Sequence, residues 1–249
     1  MKSRMIIALA GMMVMSGMAA AAEIKVLSTQ ATEESYKELV PQFEKATGHK
    51  VTTIFTGTLD VNKRLAAGES YDLLIMASNS IDEHLKDGKV AAGTKVDLAK
   101  SGVAMAVKPG YPKPDIKTVD ALKKAILSAK SIGYSTGPSG VYIITMFEKL
   151  GIADQVKGKL KQTPTGVFVG SIIASGEVEI GFQQVSELSQ FKGIDYVGPL
   201  PAEVQKYTTF SSGIIAASKQ ADAAKALQKF ISAMAAAPAY KKRGMEPGV

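Results

Sequence analysis

The sequence contains no cysteine and no tryptophan, and only two histidines, His49 and His84, among its 249 residues. The lack of cysteine excludes a disulfide framework, a thiolate nucleophile and a thiolate metal site. The two histidines lie far apart, and neither sits beside a carboxylate cluster at ligand spacing. That argues against an imidazole metal centre and a Ser-His-Asp triad, and both read as surface imidazoles. No glycine-rich turn runs into Lys-Ser or Lys-Thr, and no GxGxxG follows the first strand, so the usual phosphate loops are missing. Neither a metal nor an organic cofactor is expected. Chemistry is left to hydroxyls, amides, carboxylates and backbone N–H groups.

What is present is a globular composition, 46% hydrophobic and 21% charged, without the glycine period of collagen. The formal charge of +7 needs correcting for residues 1–22, MKSRMIIALAGMMVMSGMAAAA. Lys2 and Arg4 precede an apolar run that ends in small residues, the layout of a secretory leader cleaved before Glu23. The apolar core, 5–15, is about half the roughly 20 residues a membrane span needs. Without the leader, 28 basic residues face 23 acidic ones, for +5. No later stretch is long and apolar enough to span a bilayer, so the expectation is a soluble periplasmic chain with no membrane insertion after cleavage. The remaining lysines are scattered, and no basic stripe interleaves with aromatics, so nucleic acid is not an expected partner. The residual charge favours the arrival of a small anion.

Three times in the first half a strand ends in a short polar loop that opens a helix. IKVL (24–27) runs into Ser28-Thr29-Gln30-Ala31-Thr32, where Thr32, Glu33 and Glu34 read as a capped helix start. Tyr36, Leu39, Val40 and Phe43 follow at helical spacing. VTTIF (51–55) meets Thr56-Gly57-Thr58, and YDLLIM (71–76), apolar throughout as in a strand buried on both faces, leads to Ser78-Asn79-Ser80. The second half repeats the pattern. VAMAV (103–107) is a strand, 119–129 a helix, 131–134 a strand, and STGPSG (135–140) opens another helix. A helix at 171–175, a strand at 177–182 and then Gln183-Gln184 follow. A strand at 208–217 returns to the first half, and 220–242 reads as one helix with Ala223, Leu227, Phe230, Ile231 and Met234 on one face.

The expected fold is α/β and two-lobed, with a ligand cleft between the lobes. Residues 23–102 and 209–249 form lobe I, 103–208 form lobe II, and the chain crosses near 102–108 and 203–210. Loops at the carboxyl ends of parallel strands converge on one crevice, and helix N-termini there offer free N–H groups to an anion. The candidate ligand residues are therefore Gln30, Thr56, Gly57, Thr58, Ser78, Ser139, Gly140 and Gln184. Gly57 admits close approach to the backbone between two hydroxyls, and Ser139-Gly140 offers a hydroxyl and N–H groups at a helix start. Gln30 and Gln184 bring amides, while Lys63 and Arg64 read as solvated.

Four stretches, IKVLSTQATEESYKELVPQFEKATG, GESYDLLIMAS, PSGVYIITMFEKLG and GEVEIGFQQVSE, resemble in order and spacing the periplasmic molybdate-binding proteins, a branch of the type II solute-binding fold. The resemblance implies capture of a tetrahedral oxyanion between the lobes by neutral hydroxyls and backbone N–H groups, then delivery to an ABC permease. The ligand positions depart from that pattern. Ala31, preceded by Gln30, stands where the family has Ser, Thr56-Gly57-Thr58 replaces a Ser-rich loop, the backbone-donor positions fall at Ser139 and near Val167, and Gln184 replaces a Tyr. Fewer hydroxyls and more amides suit a larger planar anion, and the chain also resembles the bacterial aconitate isomerases.

Two roles follow. One is a binding protein for a small organic polycarboxylate that isomerises aconitate by allylic proton transfer, with Glu33, Asp60 and Glu187 as cleft-edge carboxylates among which the sequence does not choose. The other is a receptor for molybdate or a similar oxyanion that serves a permease.

Overall fold

The computed structural model describes residues 21–248, so nearly all of the leader reading (1–22) lies outside the described residues. The first lobe opens with β1 (Glu23–Thr29), α1 (Glu33–Thr47), β2 (Lys50–Thr56), α2 (Thr58–Ala66), β3 (Leu73–Ala77) and α3 (Ser78–Lys86), and then β4 (Val96–Ser101). The second lobe contains β5 (Val103–Val107), α4 (Val119–Ser128), β6 (Ile132–Tyr134), α5 (Pro138–Lys149), α6 (Ala153–Val156) and β7 (Leu160–Gln162). It continues with α7 (Val169–Ala174), β8 (Ile180–Gln184), α8 (Val185–Leu188) and β9 (Asp195–Pro199). The chain then returns to the first lobe as β10 (Thr208–Ile214), α9 (Ala221–Ser232), α10 (Ala237–Lys241) and β11 (Glu246–Pro247).

The first sheet has the order β11-β4-β10-β3-β1-β2, the second β7-β6-β8-β5-β9. In the first, β2, β1 and β3 are parallel while β10 runs antiparallel between β3 and β4. In the second, β7, β6 and β8 are parallel and β5 is antiparallel to β8 and β9. Every residue of β3 and of β5 is buried, as expected for central strands covered on both faces. Tyr36, Leu39 and Phe43 of α1 pack with Leu227 and Ile231 of α9 over one face of the first sheet. Leu122, Ile143 and Phe147 do the same work in the second.

The two crossings are tied to each other. Gly102 alone separates β4 from β5, and 200–207 joins β9 to β10. Gln205 reaches from the second crossing to the first, its Oε1 accepting from Val103 N at 2.7 Å and its Nε2 donating to Val103 O at 3.0 Å. Val103 O also accepts from Leu200 N at 3.0 Å, so the Gln205 amide and the backbone of the second crossing together satisfy the first.

Several elements differ from the reading of the sequence. The 220–242 stretch is broken, because Ala233 is extended (φ −67°, ψ 154°) and ends α9. The break shifts the helical phase, so Met234 is 82% exposed rather than on the buried face. The strand expected at 177–182 begins later, at Ile180, after a turn at Gly176 (φ 76°), which carries Gln183 and Gln184 into the buried strand instead of a following loop. Thr32 makes no cap bond, since a single 3-10 turn at Gln30–Thr32 precedes α1 and continues into it. His84 is buried, not a surface imidazole; its Nε2 lies 3.0 Å from Asn62 Oδ1, and burial lowers its pKa.

Candidate functional site

The polar loops at the carboxyl ends of β1, β2, β6 and β8 meet between the two sheets around a partly open cavity of about 40 Å³. That volume corresponds to roughly three waters. Gln30 and Ala31 enter from the first strand, Thr56, Gly57 and Thr58 from the second, and Ser135 to Ser139 from the loop after β6. The walls contributed by the second lobe also include Gly166, Gln183, Gln184 and Glu187, and Phe210 of β10 lies against them.

The lobes touch directly around this cavity. Gln30 Nε2 donates across the cleft to Gly166 O at 2.9 Å. Gly57 faces the 164–168 turn so closely that a Cβ on it would stand 2.7 Å from Gly166 N and collide with the Thr165 hydroxyl. Gly166 itself has φ +77°, a conformation that favours glycine.

Of the residues expected to contact a ligand, Gln30, Thr56, Gly57, Thr58, Ser139 and Gln184 all line the cavity. Ser78 does not. It lies with Asn79 and Ser80 in an outer groove of about 660 Å³, bordered also by Leu59, Val141 and Lys206. Thr58, Thr136, Gly137 and Pro138 form walls of both spaces. Gly140 is buried behind the loop, where any Cβ would collide with the Ser135 carbonyl; its role is to let α5 pack against Ser135. Lys63 lies off the cavity, and Arg64 is spent on ion pairs with Asp60 and Glu69 at 3.0 Å each.

Two helix N-termini are aimed at the cavity. Val61 N–H of α2 bonds to Gly57 O, and Val141 N–H of α5 to Gly137 O. Asp60 N–H also bonds to Gly57 O; the N–H groups before it in α2, of Thr58 and Leu59, and those before Val141 in α5, of Ser139 and Gly140, have no intrahelical acceptor and carry the positive end of the helix dipole. Ser135 Oγ accepts from Gly137 N at 3.2 Å and lies 3.3 Å from Ser139 Oγ, which fixes the hydroxyl pair beside α5.

Gln184 is the residue whose role differs most from a simple ligand donor. Its amide lies between Thr208 Oγ1 and the carbonyls of Ser101 and Gly102, so its nitrogen is placed toward the carbonyls (2.9 and 3.1 Å) and its oxygen accepts from Thr208 at 3.1 Å. The side chain is thus bonded to both crossings.

Glu187 is the one of the three cleft-edge carboxylates that reaches the cavity wall. Asp60 is bound to Arg64, which with the Thr56 hydroxyl holds it below the usual carboxylate range. Glu33 forms an i,i+4 pair with Lys37 at 2.5 Å. Burial pushes Glu187 up to about 8, against the pull of the Gln184 N–H and the Gln183 amide, and the Glu33 charge adds to the rise. No Lys, Arg or His lines the cavity. Among the described residues no three His, Asp or Glu side chains come together as a metal-ligand group.

Comparison with known proteins places this architecture. The family model for bacterial extracellular solute-binding proteins matches residues 24–246. The chain belongs to that family. An aconitate isomerase of a Pseudomonas species is 35% identical to this solute-binding protein over 230 residues, 90% of this chain and 87% of the relative. A molybdate-binding protein of Azotobacter vinelandii is 29% identical over 188 residues, 75% of this chain and 73% of the relative. The solved periplasmic molybdate-binding protein of the same organism superposes with a TM-score of 0.77 at 18% identity, covering 89% of this chain and 98% of that one. Like them this solute-binding protein is two-lobed, and no helix among its described residues is long and apolar enough to cross a membrane.

The cavity residues that sequence reasoning missed are Gly166 and Phe210. Gly166 lies in the loop between β7, a three-residue strand too short to read from the sequence, and α7, while Phe210 is internal to β10. The resemblance pointed to this turn through the backbone-donor position near Val167, which also lines the cavity, but not to Gly166 itself.

Proposed function

We propose that this solute-binding protein acts in the periplasm, with residues 1–22 as its export leader, and isomerises a small unsaturated tricarboxylate, interconverting cis- and trans-aconitate. The observation that carries the reading is the place of Glu187, the one carboxyl group in the wall of a cavity that otherwise offers neutral donors; it is half-buried there, and desolvation pushes it up to about 8. A fixed negative charge there would oppose anion capture. A carboxyl group that is mostly neutral near pH 7 does not, and its ionisation lies where a general base is most effective.

In this mechanism ionised Glu187 takes a proton from the methylene carbon of aconitate, whose acidity comes from the adjacent carboxylate and double bond. The C–H electron pair moves into the conjugated system and leaves a dienolate. Free N–H groups at the starts of α2 and α5 hold the developing oxyanion. Glu187 then returns the proton to the former vinylic carbon, and the double bond shifts by one position. No electrons leave the substrate and no cofactor takes part. The reacting end occupies the cavity between the lobes. The remaining carboxylate extends past the wall of Thr58 and Pro138 toward the outer groove and Lys206.

Incubation of the purified protein with cis-aconitate in D₂O tests this. Formation of trans-aconitate is expected, with deuterium at the newly protonated carbon only to the extent that Glu187 exchanges with solvent before returning its proton, and no turnover above a protein-free blank removes the isomerase role. A second reading is favoured by the compactness of the cavity: a receptor for a molybdate-like oxyanion that delivers it to an ABC permease. Calorimetric titration separates the two, since micromolar molybdate binding with no heat from aconitate or citrate selects the receptor.

A further inference from the structure

Gln183 has no freedom to rotate its amide. It is 2% exposed, and its Oε1 accepts from Val169 N, the first N–H of α7, at 2.8 Å. Exchanging its oxygen and nitrogen would set an NH₂ group against that buried N–H, so the orientation is determined by the network. The NH₂ group is thereby forced toward Glu187 and donates to Oε1 at 2.9 Å. The other carboxylate oxygen, Oε2, has only the longer 3.3 Å bond from Gln184 N. One oxygen of Glu187 is therefore permanently an acceptor, and the other is the site where a proton resides.

From this geometry we infer that Gln183 is a positioning residue that assigns the two oxygens of Glu187, reserving Oε1 for the amide and leaving Oε2 to exchange protons with the bound substrate. The inference rests on the isomerase reading. The amide also favours the ionised form of Glu187 and so offsets part of the rise caused by burial. The other groups around Glu187 are few. Glu33 faces it from α1 with its charge met by Lys37; β5, α7 and the Gln30–Thr32 turn bring no ionisable side chain. From β9 come Asp195, paired with Lys113 at 3.8 Å, and Tyr196, whose hydroxyl burial keeps neutral.

The test is Gln183→Met, which keeps the length of the side chain and removes the donor. Two readouts are taken. The first is the pH dependence of kcat/KM for cis-aconitate. The second is the protonated-carboxyl infrared band of Glu187 during a pH titration, assigned by its loss in Glu187→Gln. The expected result is a rise of about one pH unit in both midpoints, with roughly tenfold lower kcat/KM at pH 7 that recovers partly at higher pH. Unmoved midpoints, with only a lower melting temperature, would mean that Gln183 merely packs β8 against α7, and would overturn the inference. The infrared titration needs no turnover. An inactive wild-type protein with a shifted band therefore counts against the isomerase reading and leaves the Gln183–Glu187 coupling standing.

Discussion

Gly57 of the first lobe and Gly166 of the second meet across the cleft at backbone distance, and a methyl group on Gly57 would stand 2.7 Å from the Gly166 nitrogen. Gly57→Ala is therefore expected to hold the lobes apart. Overpacking of this kind costs about 1–3 kcal/mol, so affinity for aconitate falls roughly tenfold or more. Small-angle scattering with saturating ligand should give a larger radius of gyration than wild type. Wild-type affinity and radius together would show that this approach is not required for closure.

Glu187→Gln separates chemistry from capture. The amide keeps the size of the side chain and, like the neutral acid, carries no charge, but it takes no proton. Isomerisation is expected to fall on the order of 10²–10⁴-fold, while calorimetry finds aconitate binding within a few-fold of wild type. Retained turnover would exclude Glu187 as the base.

The same carboxyl group makes stability depend on pH, with a definite sign. Its pKa rises from 4.5 to about 8 on folding, so between those values the folded state holds a proton that the unfolded state has released. Stability from this group is full below the lower value and is lost as pH rises through the upper one, by at most about 1.4 kcal/mol per pH unit. Thermal unfolding from pH 5 to 8.5 should show the wild-type melting temperature falling relative to that of Glu187→Gln. Parallel curves would mean that the carboxylate is better solvated than its surroundings indicate.

Gln205→Ala tests the tie between the crossings. It leaves Val103 N without its partner at the edge of the cleft, while Val103 O keeps the bond from Leu200 N. A loss of about 1–3 kcal/mol in urea unfolding is expected. An unchanged midpoint would mean that water or Gln184 takes over these bonds.

Much of the framework was legible because strands and helices announce themselves through period and punctuation. Thr56-Gly57-Thr58 between a β-branched run and a helical one places a polar loop at the cavity whatever the details of packing. Glu187 was harder. A glutamate three residues into a helix start looks the same whether solvated or enclosed. The difference is made by packing of α8 against the Gln30–Thr32 turn of the other lobe, a contact between segments more than 150 residues apart in sequence. Gly140 was legible only in part, as an N–H at a helix start and not as a residue of the cavity wall. Its position at a helix start suits ligand contact, but the space it leaves is already filled by the Ser135 carbonyl. His84 shows the same limit, since its burial depends on Asn62 of a neighbouring helix.

The position of β10 has a consequence for how this chain acquires its structure. β10 fills the gap between β3 and β4, pairing Ser212 with Ile75 on one side and with Val96 on the other. Until the whole second lobe has been made and the chain has come back, β3 and β4 each keep an unpaired edge. The first lobe thus cannot mature as an N-terminal unit during synthesis. Its assembly waits for a long-range strand insertion of the kind that slows folding. A nascent chain with such an open seam stays loosely held for most of its emergence, which is the condition a threaded passage through a membrane pore demands.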